Sequence, residues 1–562
     1  MDNVKTTNFA AAISIKYGRL VLPVMMVGLW GAAFIVLVLL PRAAGAQHIL
    51  RSSAIAAAEI AVILFVLGWA VVSKVRFQWM VVACMTLASG LILAMLIASP
   101  TAKSVHPDEF SHLGAYDYYV NHWLPPAVGD PATAPSTSVW GTSYLSGLDV
   151  VYEIAAKSTG ELRTLTSNNL LACRFFQFGI WGVLCIFAVY NRRWAFVLSV
   201  MLLSPQIWYI FSYFNSDAFP LALSMIAAGL ISNEKGGLGA FLESGDTRNP
   251  ALWVAALCIG LILVSKANYL PVVLVFLLWL AVTHLRLRLH TVVLEIIGAL
   301  LVGTSVFVKS VPRISGWHVP FELAGIAFAA GGFVFFVWRC WRDEEKRAVF
   351  ARLVSFTLLC IVVAAPRVAW DIHVNGWPAQ KAERIQAVEE ARAAPEFKPS
   401  VIVQGKGYPT IDLAARGVSL FDVAFSQYHW AATSLASAFG IYGYMTISAP
   451  NWLHHLLYVI VGLLVLLLLY SLQKNVPEQW IALTAVVMGG AVLVLASSLL
   501  LSWTAELQAQ GRYLFAILPM IALLLGARPA QLPKRSLALL VGAAFVCSAG
   551  SFAFVALPAL AG

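Results

Sequence analysis

Charged side chains are scarce in this chain. Lys, Arg, Asp and Glu supply 11% of its 562 residues, against about 25% in an ordinary soluble domain, while 60% of the residues are hydrophobic and the mean hydropathy is +0.81. That balance excludes the three or four soluble domains that length alone would suggest, and it excludes a disordered chain. Cysteine is sparse and badly placed for cross-linking. Cys84, Cys173, Cys185, Cys258, Cys340, Cys360 and Cys547 lie in or beside apolar runs, so neither a disulfide framework nor a paired-cysteine metal site is expected. Ten-residue segments of alternating polarity are missing too, which excludes an outer-membrane barrel. What the chain has instead is unbroken apolar runs of about 20 residues, the length a helix needs to cross about 30 Å of hydrocarbon.

Fifteen such runs can be read, at roughly 20–40, 54–73, 78–99, 171–190, 194–213, 217–231, 251–265, 268–284, 291–308, 320–338, 349–365, 452–471, 480–502, 513–527 and 536–558. The runs at 217–231, 251–265 and 513–527 are short and read as tilted or broken helices. The fold class expected is therefore an all-α polytopic membrane protein with about 13–15 transmembrane helices. Basic residues in short loops set its orientation. With Lys5, Lys16 and Arg19 in the cytoplasm, the inside loops carry Lys74/Arg76, Arg192/Arg193, Lys235/Arg248, Arg286/Arg288, the cluster Arg339, Arg342, Lys346, Arg347 and Arg352, then Lys474, and Arg528/Lys534/Arg535. Every inside loop is basic, so much of the net charge of +10 fixes topology and does not mark a nucleic-acid binder.

Two segments are too polar to span, 100–170 and 366–451, and both fall on the outside face of this map. The chain thus divides into three helices over 1–99, a first outer loop at 100–170, a transmembrane core at 171–365, a second outer segment at 366–451 and C-terminal helices at 452–562. Ala44-Gly45-Ala46 after the first run resembles a signal cleavage site, but the run is too long for a signal core and reads as an uncleaved anchor. Glu59, inside the second run, is an intramembrane carboxylate expected to have an interhelical partner or an interface position. In the second outer segment a short helix is expected near 379–394, followed by an aromatic stretch, Phe425 to Tyr444, that suits a membrane-interface belt or a re-entrant wall.

The densest chemistry lies in His106-Pro107-Asp108-Glu109-Phe110-Ser111-His112, a few residues beyond the third run. Pro107 fits a first helical turn, where acids are favoured by the helix dipole. Asp108 and His112 are then four apart and Glu109 and His112 three apart, so these groups can share a face. A carboxylate held there can serve as a general base. Asp108, Glu109 and one histidine are also a donor set for a divalent cation, and the plainest alternative is an acidic helix cap with solvated histidines.

Pro-Asp-Glu followed three residues later by His, just outside a membrane helix, resembles the first-loop signature of a bacterial family of multi-spanning membrane proteins related to the GT-C class of glycosyltransferases. Four further segments match its pattern in the same order. Ser204-Pro205-Gln206 through Asn215-Ser216-Asp217-Ala218 is similar to its proline-to-Asn-x-Asp segment, and Ser265-Lys266-Ala267-Asn268-Tyr269-Leu270-Pro271 to its Lys-x-x-Tyr-x-Pro. Ser437 to Tyr444 resembles its Phe-Gly-rich loop without the tryptophans usual there, and Gln510-Gly511-Arg512-Tyr513 its Gln-Gly-Arg-Tyr. The matches run from about 100 to 520, so the first two helices look like an addition.

The resemblance implies a GT-C-like fold in a bacterial inner membrane, with the active site facing the periplasm. It implies an inverting hexosyl- or pentosyltransferase that moves a sugar from a polyprenyl-phosphate donor to a cell-envelope glycan or glycolipid. Asp108 or Glu109 becomes the catalytic base. The basic residues at outer span ends, Arg512, Lys266, Arg367 and Arg174, become candidates for the donor phosphate, Arg512 through its bidentate fork; each has snorkelling as its simpler explanation. His112, His106, Asp217, Tyr269, His429, Trp430 and Tyr513 are candidates for acceptor or sugar contacts, although Ser216 or Asp217 is equally apt to cap the next helix. No cofactor is obligatory, a divalent cation is compatible, and no nucleic acid is expected. A flippase of lipid-linked glycan and a polymerase or ligase of lipid-linked oligosaccharides are the competing functions. Transporters, however, place ionisable groups near the midplane on broken helices, whereas the acids here crowd one surface.

Overall fold

A computed structural model describes residues 76–98, 106–166, 169–234, 236–287, 289–310, 318–473 and 478–560. The runs at 20–40 and 54–73, with Glu59 and Ala44-Gly45-Ala46, lie outside the described residues. Among the described residues the regular structure is helical apart from one hairpin, β1 (Ile441–Tyr442) paired antiparallel with β2 (Ile447–Ser448), and isolated bridges. Among the described residues, eight helices are long and apolar enough to cross a membrane. This is a multi-pass, all-α membrane protein.

The spanning count differs from the sequence reading for a local reason. The run at 194–213 is two helices bent by 91°, Arg192–Leu202 and Pro205–Ser212, which make a ninth span only if taken as one. Ser204 caps the second by accepting from the Gln206 N–H, and Pro205 occupies its first turn, where no N–H is required. Hydropathy does not register a helix start inside an apolar run. Four other expected spans, Ala218–Ile231, Pro250–Leu263, Leu289–Ser305 and Gly511–Ala527, are apolar helices of 10–17 residues.

The helices used below are α1 (Phe77–Ala98), α2 (Glu109–Asn121), α3 (Val151–Thr159), α4 (Asn169–Tyr190), α5 (Pro205–Ser212), α6 (Ala218–Ile231), α7 (Pro250–Leu263), α8 (Leu270–Leu285), α9 (Glu344–Asn375), α10 (Pro378–Arg392), α11 (Trp430–Ala438), α12 (Glu478–Thr504) and α13 (Ile517–Ala527). Their hydrogen bonds separate two ends of the bundle. At one end Gln78 donates to the Ala188 and Val189 carbonyls, Arg193 to Ser232, Arg352 to Leu242 and Glu243, and Gln479 to Val282 and Thr283. Arg528 lies over Trp480 there as well. These contacts join described parts of loops that the sequence reads as basic and inside. The start of α4, the start of α6, the end of α7 and the start of α13 meet at the opposite end.

The segment 100–170 is more than a loop. Tyr116, Tyr119, Val151, Tyr152 and Ala155 of α2 and α3 are buried against Phe214 and Phe219, each large side chain contributing about 1.5–3 kcal/mol by leaving water. Gly114 lets this cap close: a Cβ there would stand 2.4 Å from the Pro135 carbonyl oxygen. The second polar segment begins later than expected, because α9 continues through Pro366 to Asn375. Arg367 is therefore a helical residue. The helix expected near 379–394 is α10, Pro378–Arg392.

Candidate functional site

Asp108 and Glu109 are neighbours that part company at the first turn of α2. Asp108 stands just before the helix with φ 59, in the left-handed region that few non-glycine residues adopt. Its N–H donates to the Tyr444 hydroxyl at 3.2 Å, and its carbonyl accepts from the His112 N–H at 3.0 Å. That turn sends the two carboxylates in different directions.

Glu109 goes inward. Arg174, in the first turns of α4, donates through Nε to Oε1 at 2.7 Å and through Nη2 to Oε2 at 2.5 Å, while the Phe214 N–H reaches Oε1 at 2.8 Å. Both side chains are 0% exposed, and Arg174 Nη1 also donates to the Leu96 carbonyl at 3.2 Å. This is a buried, bidentate clamp joining α1, α2, α4 and the turn after α5.

Asp108 goes outward, with its side chain 44% exposed, and faces Arg512 at 3.8 Å. The 3₁₀ turn Gly511–Leu514 carries that arginine. Gly511 is required at this point, since a Cβ would meet the Ala438 backbone N at 2.2 Å, and its N–H donates to Ser437 Oγ at 3.0 Å. The guanidinium also reaches the hydroxyls of Tyr213 at 3.3 Å and Tyr513 at 3.4 Å, and its Nε lies 3.8 Å from Asp217 Oδ2. Lys266, at the end of α7, donates to Asp217 Oδ1 at 2.6 Å and sits 4.9 Å from the Tyr513 ring centroid. Burial pushes the Asp217 carboxyl up, but Lys266 and Arg512 outweigh it and hold the group below the usual carboxylate range.

Asp217 does not cap α6. It occupies the N-cap position without a side-chain cap bond. Asn215, two residues earlier, supplies the oxygen instead, its Oδ1 accepting from the Asp217 N–H at 2.8 Å and the Ala218 N–H at 3.2 Å, so the side-chain capping read for Ser216 and Asp217 is corrected. Tyr269 is buried, and its hydroxyl donates to the Asp217 carbonyl at 3.4 Å. It fixes the backbone beneath the cluster.

The histidines are not solvated. His106 Nδ1 pairs with the Tyr209 hydroxyl at 2.8 Å and the ring stacks on Tyr213 at 4.8 Å; burial and then Arg174 push its pKa well below the usual value. His112 pairs with the Tyr152 hydroxyl at 2.8 Å and lies 4.6 Å from the Tyr144 ring. Burial, then Lys266 and Arg512, hold His112 down to about 3 against an opposing pull from Asp217. Both rings are neutral at physiological pH. Among the described residues, no three His, Cys, Asp or Glu side chains are grouped to hold a metal ion, and Asp108, Glu109 and the two histidines face different partners.

Three further candidates stand apart from this cluster. Arg367 donates to the Tyr119 hydroxyl at 2.7 Å and the Leu148 carbonyl at 3.1 Å, with Glu153 at 3.6 Å, so it ties α9 to the 100–170 cap. His429 is exposed, with φ 48 before α11, and its Nδ1 lies 3.0 Å from the Phe425 carbonyl oxygen. Trp430 is buried with Leu413 and Val423, which leaves its ring no open face for stacking on a ligand. The sequence reading missed Tyr144, whose hydroxyl is pushed up by burial and then by the Asp108 charge, and Asp149, whose carboxyl burial pushes up to about 7 despite Lys266. Neither carries a spacing signal; tertiary placement alone brings them in.

No known family profile matches this chain, and no curated protein matches it. The site is therefore read from its own chemistry. A half-exposed carboxylate, a second carboxylate held ionised, and two cations converge at the end of the bundle opposite the basic loops.

Proposed function

We propose that the protein is a membrane glycosyltransferase of the GT-C kind, acting on a polyprenyl-phosphate-linked sugar at the outer face of a bacterial inner membrane. The observation that carries this reading is the pairing of exposed Asp108 with Arg512 at 3.8 Å, set beside Lys266 and Asp217. An open carboxylate next to under-bonded cations suits a reaction that removes a proton and releases an anion.

In this mechanism Asp108 takes the proton of the acceptor hydroxyl. The hydroxyl oxygen forms a bond to the anomeric carbon as the bond from that carbon to the phosphate oxygen breaks, and the electron pair leaves on polyprenyl phosphate with inversion. Arg512 and Lys266 face the developing phosphate charge. Glu109, enclosed by Arg174 and the Phe214 N–H, holds the first turn of α2 so that Asp108 faces outward; we assign the base to Asp108 alone. Arg174 and Arg367 then serve the scaffold and not the donor phosphate.

The test is sugar transfer by purified protein in nanodiscs. Asp108→Asn is expected to lower turnover by about 10²–10⁴-fold, the contribution of a positioned general base. Undiminished transfer by this variant sinks the assignment, and movement of carrier across the bilayer without transfer favours the flippase.

A further inference from the structure

Unsatisfied buried polar atoms gather beside the site. Among the described residues, Asp217 Oδ2, Asn268 Oδ1, Asp149 Oδ1 and Arg512 Nε are all buried without a hydrogen-bond partner. Asp217 and Arg512 are themselves buried side chains, and these two orphan atoms stand 3.8 Å apart. Asn268 sits two residues from Lys266, and its Nδ2 donates to the Tyr513 carbonyl at 3.4 Å. Native proteins leave few buried polar groups unpaired, and each costs about 1–3 kcal/mol. Their concentration here points to an occupant that completes them.

The polarity of these atoms selects that occupant. Asp217 Oδ2 and Asn268 Oδ1 can only accept, so the group facing them has to donate; a phosphate, which is all acceptor, would oppose the Asp217 carboxylate. A metal ion or an amine cation would meet Lys266, 2.6 Å from Asp217, and Arg512, and would be repelled by both. The neutral groups that donate and also accept, as Arg512 Nε requires, are water and a hydroxyl, and only the hydroxyl carries a larger substrate with it. Geometry allows one hydroxyl oxygen to lie about 2.8 Å from both Arg512 Nε and Asp217 Oδ2 when those atoms are 3.8 Å apart.

We infer that the space bounded by Lys266, Asp217, Asn268 and Arg512 is a subsite for a neutral polyhydroxyl group, one hydroxyl bridging Asp217 to Arg512 and another donating to Asn268. It rests on the glycosyltransferase reading in taking that group to be the sugar of a glycosyl substrate, and it divides the site into a sugar subsite at Asp217 and a reacting edge at Asp108.

The test uses the full chain in nanodiscs with two probe sets. The first compares binding of undecaprenyl phosphate with that of its glucosylated form. The second follows hydrogen exchange at 264–270 and 511–515 under millimolar methyl glucoside, mannoside and galactoside. Wild-type protein is expected to bind the sugar-bearing lipid about tenfold tighter than the bare lipid, and at least one glycoside is expected to slow exchange in both segments. Asn268→Ala, which leaves the Lys266–Asp217 pair intact, and Asp217→Asn are expected to remove both effects without weakening the bare lipid. Glycoside protection that the variants abolish upholds the subsite even if neither lipid binds, and the glycosyltransferase reading then fails alone. Equal affinity for the two lipids with no glycoside protection overturns the subsite while leaving that reading in place. Equal losses of both lipids in the variants also overturn it, and absence of any binding overturns both.

Discussion

Two carboxylate–guanidinium pairs begin one residue apart in the sequence and end in opposite conditions. Glu109 and Arg174 meet through two hydrogen bonds of 2.5–2.7 Å, Glu109 also accepts from the Phe214 N–H, and both side chains are 0% exposed. Asp108 and Arg512 stop at 3.8 Å with the acid 44% exposed, and Arg512 is divided between two carboxylates and two tyrosine hydroxyls. The first pair is saturated and has nothing left to offer a ligand. The second is under-bonded, so a ligand can complete it. Residue type does not separate a saturated charge from an open one in this protein; tertiary placement does.

The sharpest way to break the comparison is to remove each acid. Glu109→Ala leaves Arg174 buried and uncompensated and is expected to cost about 3–5 kcal/mol, seen as lost folded yield or a large drop in the unfolding temperature of the detergent-solubilised protein. Asp108→Asn is expected to cost less than Glu109→Ala, because Asp108 is half exposed and buried Arg512 keeps Asp217 and two tyrosine hydroxyls beside it. Similar losses in the two would erase the distinction. A smaller effect comes from His112, which the cationic cluster and burial hold neutral. Its pKa falls from 6.5 unfolded to about 3 folded, so between those values the unfolded state takes a proton that the folded state refuses. Stability from this group is full above pH 6.5 and declines as the pH falls toward 3, by about 2 kcal/mol at pH 5. His112→Phe is expected to flatten that part of the stability–pH curve, and an unchanged slope would place the titration elsewhere. Tyr444→Phe removes only the hydroxyl that receives the Asp108 N–H. A loss of about 0.5–1.5 kcal/mol is expected, with faster hydrogen exchange at residues 108–112 and none at Arg174; a change at both would mean that the two pairs are mechanically one.

Much of the scaffold was legible because membranes impose a simple rule. The apolar runs and the alternation of basic loops with polar segments follow from hydrocarbon thickness and charge placement, and α10 from a charged stretch of good helix formers. The bend at Ser204-Pro205 was not, since a capped helix start among apolar residues has no hydropathy signature. Within the site, Asp217, Lys266, Arg512 and Tyr513 lie in segments marked by their motifs, and the structure brings them together with Asp108. Arg174 and Arg367 look like their companions in sequence, as basic residues at span ends, yet they hold Glu109 and Tyr119. His429 and Trp430 share an aromatic stretch with Tyr444, but only Tyr444 reaches Asp108.

The sequence by itself determined that this chain crosses a membrane many times and which loops gather at one end, because hydrophobicity and net charge are properties of composition that need no neighbours. Tertiary structure alone decided which of two adjacent acids is open and which is clamped by a buried arginine. Those outcomes depend on which side chains converge from distant helices, and on whether each polar atom finds a partner there.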